Sequence, residues 1–137
     1  MTGDDLRRVV DSWAALDAAP RGEFEHCLAA ELDDAGVSDA ADCAIWLVDA
    51  VGDLVGRLAV PTELGQRARA LAATWPGRPG HPRFACEGCA WLQAMGSVAP
   101  SWTEATDTAW RHAWHLLAEV LDEDSLSPFA LPPRELA

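Results

Sequence analysis

Apolar residues recur every three or four positions along almost the whole chain, and this spacing constrains the fold more than any other feature. A recurrence of this kind is typical of helices that bury one face. The first stretch, from about Asp4 to Asp17, shows it with Leu6, Val9, Val10, Trp13 and Leu16. No stretch alternates with the period of two that a half-buried strand requires. The pattern therefore predicts an all-α protein without a substantial sheet.

Proline, glycine and capping residues divide this pattern into about six helices. A second helix is predicted from the proline at its start to the glycine at its end, over 20–36, and a third over 39–60. The Pro- and Gly-rich segment 76–82 separates a fourth helix from a fifth. Ser101 and Glu104 match the Ser-x-x-Glu capping box and predict the start of a long sixth helix.

The chain has the size of one ordinary domain. Its 137 residues are enough to form a single core, and a hydrophobic fraction of 50% would fill that core. Three prolines fall near the C-terminus and predict an extended end. We therefore expect a helical domain over residues 1–124 and a Pro-rich tail over 125–137.

The acidic composition limits the partners and the compartment. A formal net charge of −12 repels nucleic-acid phosphates and anionic lipid, so a basic protein or a small ligand is the expected partner. No apolar run reaches the roughly 18 residues of a membrane span. The N-terminus lacks the basic start and apolar block of a signal peptide. These features predict a cytoplasmic protein that binds neither nucleic acid nor membrane.

The second half of the chain carries a recognisable order of features. A long helix ends over 71–75, a Pro/Gly loop follows, and a medium helix containing Phe84 and Leu92 precedes a capped helix with the pair Ala109-Trp110. This order resembles the closing helices of bacterial globins of the flavohaemoglobin type. The resemblance covers about the last two thirds of the chain, because the third helix also fits the family's distal helix. It implies a single globin-like domain.

The residues that bind haem in that family have no counterparts here. The fourth helix of those globins ends in Leu-x-x-x-His, whose His binds the iron, but the same spacing from Leu71 leads to Trp75. An indole has an N–H donor and no lone pair for a metal. The chain has no Tyr for the distal pocket, and the distal position facing the iron falls near Cys43.

The resemblance therefore implies a degenerate haem site in which Trp75 occupies part of the haem volume. The implied pocket residues are Trp75, Cys43, Leu71, Phe84 and Trp110. We expect a binding, sensing or accessory protein without a cofactor, and not an oxygen carrier. No Ser-His-Asp grouping, phosphate-binding glycine loop or paired carboxylates point to an enzyme.

Two alternatives involve a cofactor. His81 follows the proximal position closely, and it or a cysteine could bind haem iron in an atypical protein that takes a diatomic gas. Cys86 and Cys89, in Cys-x-x-Cys spacing at a helix start, could instead bind zinc with His81 as a third ligand, or form a redox pair. Small buried apolar cysteines are the simpler interpretation of the same two residues.

Overall fold

The computed structural model describes the backbone of residues 1–16, 20–75, 82–99 and 101–136, and the side chains of 1–16, 21–75, 86–99 and 101–120. Within these residues the chain forms six helices and no strand, and its helical content is 81%. The prediction of an all-α protein with about six helices is therefore confirmed.

The six helices are α1 (Gly3–Ala15), α2 (Pro20–Asp34), α3 (Ala40–Val55), α4 (Pro61–Ala72), α5 (Pro82–Val98) and α6 (Glu104–Leu136). Among the described residues, α3 and α6 each pack against three other helices. α2 packs against both α3 and α5, whereas α1 and α4 pack against α6. In the part of the chain that the structure describes, no helix is long and apolar enough to cross a membrane.

The end of α2 shows how a single glycine terminates a helix. Gly36 has a φ of 91°, a conformation that costs residues with a Cβ. This turn lets the backbone N–H of Val37 donate to the carbonyl of Leu32 at 3.0 Å, so that a carbonyl of the last turn is satisfied. Gly36 thus terminates the second helix as predicted, although the last helical residue is Asp34, two positions before it.

The start of α6 lies later than the sequence pattern indicates. The Oγ1 atom of Thr103 accepts from the backbone N–H of Thr106 at 3.1 Å, and the helix begins at Glu104. Thr103 is therefore the capping residue, because its hydroxyl reaches a backbone donor of the first turn. The predicted capping box of Ser101 and Glu104 is wrong.

The C-terminal end of α6 also differs from expectation. Residues 125–136 were expected to be extended, but the backbone stays helical as far as Leu136. A proline inside a helix removes one N–H donor and bends the axis. The prolines at 128 and 132 thus interrupt the backbone hydrogen bonds without ending the helix. The division into a domain and a tail stays a prediction.

An aromatic cluster forms the centre of the core and joins four helices. Trp91 of α5 stacks on Trp13 of α1 with ring centroids 5.4 Å apart, and it meets Phe24 of α2 in an edge-on arrangement with centroids 4.8 Å apart. Such stacked and edge-on pairs are the favoured geometries of aromatic rings. The members of this aromatic cluster are Trp13, Phe24, Trp91, Trp110 and Trp114.

α5 and α6 pack side by side in opposite directions. A Cβ placed on Gly88 would lie 3.6 Å from the ring of Trp114, and one placed on Gly96 would lie 3.4 Å from Trp102. The later glycine of α5, Gly96, thus faces the earlier tryptophan, Trp102, so the two segments run in opposite directions. The short connection between the two helices predicts this antiparallel pair, which is confirmed.

Two glycines provide a matched test of the packing between α1 and α3. A Cβ on Gly52 would lie 2.8 Å from Cζ2 of Trp13, a ring held in the aromatic cluster, so we expect Gly52→Ala to destabilise by about 1–3 kcal/mol. Gly65 in α4 has no atom within 4 Å of such a Cβ among the described residues. Gly65→Ala should stabilise by about 0.5–1 kcal/mol. Urea unfolding of both variants measures the free energy of unfolding, which should fall in Gly52→Ala and rise in Gly65→Ala.

Candidate functional site

Trp75 lies just beyond α4 and not within it. The helix ends at Ala72, after which the N–H of Thr74 donates to the carbonyl of Leu71 at 3.1 Å and that of Trp75 to Ala72 at 3.4 Å. These are tight three-residue turns of the kind that often close a helix. The sequence pattern extends the fourth helix to Trp75, and this boundary is wrong by three residues. The turn nevertheless leaves Trp75 only 4% exposed.

A fully buried carboxyl group lies next to Trp75. The Oε1 atom of Glu87, in α5, accepts from the indole N–H of Trp75 at 2.9 Å. The other oxygen, Oε2, accepts from the thiol of Cys43, in α3, at 3.7 Å. Glu87 is 0% exposed, and burying a polar group without such partners would be costly. We call Trp75, Glu87 and Cys43 the Trp–Glu–Cys cluster.

The Trp–Glu–Cys cluster spans a gap between two helices. Close backbone packing in the described residues joins α2 to α3 and to α5, whereas α3 and α5 meet through side chains. Trp46, one turn after Cys43, adds to this contact: its ring meets the ring of Trp75 edge-on, with centroids 5.0 Å apart. The space between α3, the end of α4 and α5 is thus occupied by indoles and a carboxyl group.

The chemistry open to the cluster is that of hydrogen bonding. Trp75 offers only a donor, and that donor is directed at Glu87. Sulfur and carboxylate are metal ligands, but a structural metal site needs about four such ligands. Among the described residues there is no group of three His, Cys, Asp or Glu side chains that could hold a metal ion. Both oxygens of Glu87 accept hydrogen bonds from within the cluster.

The other predicted pocket residues are distributed as follows. Leu71 is partly buried and packs against the core. Trp110 lies in the aromatic cluster, and its indole N–H donates to Oγ of Ser12 at 2.8 Å. The side chain of Phe84 and the whole of His81 lie outside the described residues. The structure thus brings Trp75 and Cys43 together through Glu87, and the role of the others stays a prediction.

Cys86 and Cys89 lie one turn apart on α5 and are free thiols. Cys86 is half-buried and Cys89 is exposed, so the interpretation that both are buried apolar residues is wrong. A helix face carries positions three apart side by side, which is why both line one cleft with Ala90 and Gln93 of the same helix and with Glu31 of α2. Their use as zinc ligands with His81 stays a prediction.

Glu87 is the site residue that the sequence analysis missed. Its position was readable, because Glu87 falls in phase with Trp91, Ala94 and Met95 at intervals of four, seven and eight. All three partners are buried, and Glu87 shares their face. A glutamate on an apolar face is easily taken for a solvent-exposed residue because most glutamates are exposed. The phase of the helix was therefore a better guide than the residue type.

A second polar contact joins α1 to α6, between the buried carboxyl group of Asp5 and the exposed imidazole of His112. Oδ2 of Asp5 accepts from the backbone N–H of Thr2 at 3.1 Å and lies 2.9 Å from Nδ1 of His112. The hydrogen bond from the Thr2 backbone, followed by the one from His112, lowers the pKa of Asp5 below its ordinary value of 3.8. Asp5 thereby contributes to the N-terminal cap of α1 as well as to packing between helices.

The lowered pKa of Asp5 predicts a pH dependence of stability. A carboxyl group whose pKa is lowered by folding stabilises the folded state at pH values above its ordinary pKa of 3.8. This stabilisation is lost as the pH falls through the lowered pKa. We expect Asp5→Ala to lower the urea concentration at the midpoint of unfolding at neutral pH. The fall in this midpoint between neutral pH and about pH 3 should also be smaller in the variant than in the unmodified protein. Asp4→Ala, in the same turn, is the matched control, and its midpoint should fall with pH as much as that of the unmodified protein.

Comparison with known proteins adds no relative. The chain matches no protein-family model, no curated protein and no solved structure.

Proposed function

We propose that the chain is a globin-like cytoplasmic module that binds, senses or assists, and that its own side chains take the place of the haem. The observation that carries the proposal is the Trp–Glu–Cys cluster. In the resemblance, Trp75 takes the position of the proximal His and Cys43 lies near the distal position. In the structure both donate to the one carboxyl group of Glu87.

The first support is the chemistry of Trp75. A haem ligand must present a lone pair to the iron, and the indole has none to present. The N–H of Trp75 is moreover committed to Glu87 at 2.9 Å. Binding iron from this side would therefore require another residue and a different arrangement of the turn after α4.

The second support is the occupied volume. A porphyrin between the proximal and distal positions would separate Trp75 from Cys43, whereas here the two oxygens of Glu87 link them. Insertion would break both hydrogen bonds and expel the edge-on ring of Trp46. Leaving the buried donors without partners would add a cost of about 1–3 kcal/mol each.

A module without iron must act through contacts with a partner or a small ligand. The net charge of −12 favours a basic protein or a cationic ligand, because like charges repel other partners. Oxygen carriage is excluded from the proposal because it requires the iron that the cluster displaces.

The test is an absorption titration with hemin. The unmodified protein should give no stoichiometric haem complex. The double variant Trp75→His, Glu87→Ala, which supplies an imidazole and opens the volume of the carboxyl group, should give a His-ligated haem spectrum. Trp102→His, a half-buried tryptophan near α6, is the matched control and should give none.

Two outcomes would count against the proposal. Stoichiometric haem uptake by the unmodified protein, abolished in His81→Ala, would replace it with the gas-binding alternative. A double variant that is folded by circular dichroism and still binds no hemin would remove the support for a globin-like site.

A further inference from the structure

We infer that Cys86 and Cys89 are a peroxide-sensitive dithiol whose oxidation to an intrahelical disulfide displaces the carboxyl group of Glu87 from Trp75 and Cys43. The inference uses only the contacts of α5 and its neighbours. It does not depend on the proposed function.

The two thiols differ in access in the way that an attacking and a resolving cysteine require. Cys89 is exposed, Cys86 is half-buried one turn earlier, and both line the cleft beside α2. Of the remaining cysteines, Cys43 is 4% exposed and Cys27 is half-buried on α2. Oxidation selects exposed thiols with a neighbouring thiol to resolve them, so Cys89 is the first expected target.

Charged groups of both signs surround Cys89, since Glu31 and Asp34 line the cleft that it shares with Cys86 and Arg111 approaches from α6. Arg111 of α6 lines the same two clefts as Cys89, and its Nε donates to Asp107 at 2.7 Å. The hydrogen bond to Asp107 is the main reason that the pKa of Arg111 is raised, and its attraction to Cys89 makes a smaller contribution. The guanidinium and the thiol are therefore within electrostatic range of each other.

The oxidation is balanced with a peroxide as the oxidant. The thiolate of Cys89 attacks a peroxide oxygen, the O–O bond breaks, and the products are a sulfenic acid and hydroxide. The thiol of Cys86 then attacks the sulfenic sulfur, the S–O bond breaks, and the hydroxyl leaves as water with the thiol proton. The two thiols lose two electrons in total, and the peroxide gains them.

The geometry of the helix couples this bond to Glu87. Residues three apart on a helix have Cα atoms about 5 Å apart, which a disulfide accepts. Their Cβ atoms are about 5–6 Å apart, whereas a disulfide holds them at about 3.5–4.5 Å. Closing the bond must therefore tighten the turn 86–89, where Gly88 offers little resistance.

Glu87 lies inside this turn, but its partners do not. Trp75 follows α4 and Cys43 belongs to α3, so neither moves with the turn. A hydrogen bond weakens as its partners move apart, and the thiol of Cys43 is already 3.7 Å from Glu87. Displacing the carboxyl group therefore breaks this contact first and then the 2.9 Å bond from Trp75. A redox change on the surface of α5 is thereby transmitted to the buried Trp–Glu–Cys cluster.

The test of the dithiol is chemical mapping on the full chain. The reduced protein is treated with hydrogen peroxide, blocked with N-ethylmaleimide and digested for mass spectrometry. We expect one intramolecular Cys86–Cys89 disulfide, reversible with dithiothreitol. In Cys86→Ser, Cys89 should stop at a sulfenic acid that dimedone traps, and in Cys89→Ser, Cys86 should stay reduced. Cys27→Ser is the matched control and should leave the disulfide intact.

The test of the coupling is the indole N–H signal of Trp75 in a nitrogen-15 NMR spectrum, assigned by its loss in Trp75→Phe. Oxidation should move this signal, and dithiothreitol should restore it. A disulfide between any other cysteines, or oxidation of Cys27 before Cys89, would overturn the inferred dithiol. A Cys86–Cys89 disulfide that leaves the Trp75 signal unchanged would overturn the coupling. Neither readout involves haem, so failure here is distinct from failure of the proposed function.

Discussion

Replacing Trp91 with alanine should lower the free energy of unfolding by about 3–5 kcal/mol, the range for removing a large buried aromatic side chain. Trp91 is 0% exposed and makes ring contacts with the four other members of the aromatic cluster. Its removal therefore leaves a cavity lined by rings from three other helices, α1, α2 and α6. The measurement is equilibrium unfolding in urea at constant pH.

Two further variants separate the effect of volume from that of a general loss of apolar surface. Trp91→Phe should cost less than Trp91→Ala, because it keeps a ring and removes an indole N–H that has no hydrogen-bond partner among the described residues. Ile45→Ala, on the exposed side of α3 with 51% of the residue accessible, should change stability by about 0.5 kcal/mol or less. Equal losses for Trp91→Ala and Ile45→Ala would contradict the placement of Trp91.

Glu87→Ala should lower the free energy of unfolding by about 2–4 kcal/mol. The variant deprives the buried indole N–H of Trp75 of its acceptor and leaves a void between α3 and α5. Glu87→Gln keeps the volume and an acceptor oxygen, so we expect a loss of about 1 kcal/mol or less. Glu119→Ala, at an exposed position of α6, is the control for removing a glutamate. Its stability should match that of the unmodified protein.

An alternative result for Glu87 would change the account of the site. If Glu87→Ala were as stable as Glu119→Ala, the carboxyl group could not be bridging buried partners. Loss of stability in Glu87→Gln equal to that in Glu87→Ala would show that the carboxyl group contributes something that a neutral amide of the same size cannot replace.

The buried faces of the helices could be predicted because helical spacing is a local property. The face of α3 predicted from its periodicity is buried in the structure, with Leu47, Val51 and Leu54 all 0% exposed. The end of α2 at Gly36 was equally readable, since one residue type favours one backbone conformation. Helix boundaries that depend on a single hydrogen bond could not be predicted in this way, as the Thr103 cap of α6 shows.

The site could be predicted only in part because its contacts join residues far apart in the chain. Trp75 and Cys43 were both placed near one pocket by the resemblance, and the structure does bring them to a common partner. That partner is 44 residues from Cys43. Spacing along α5 was enough to place Glu87 on the buried face, although it was overlooked, but no local pattern states which side chain on another helix will meet it.

Cys89 was predicted to be buried, but it is exposed. Cysteine is usually buried, and this tendency suggested an apolar role for both residues of the Cys-x-x-Cys pair. The helix phase instead turns Glu87 inward and leaves Cys89 exposed. In α5, periodicity is therefore a better predictor of burial than residue type.

The claim that the Trp–Glu–Cys cluster occupies the place of the haem is tested most directly by hydrogen exchange at the indole N–H of Trp75, measured by NMR with and without equimolar hemin. A buried, hydrogen-bonded N–H exchanges slowly because the structure must open first. The account predicts slow exchange that hemin does not change, and fast exchange in Glu87→Ala. Exchange as fast as that of a free indole, or a Trp75 signal displaced by stoichiometric hemin, would contradict it.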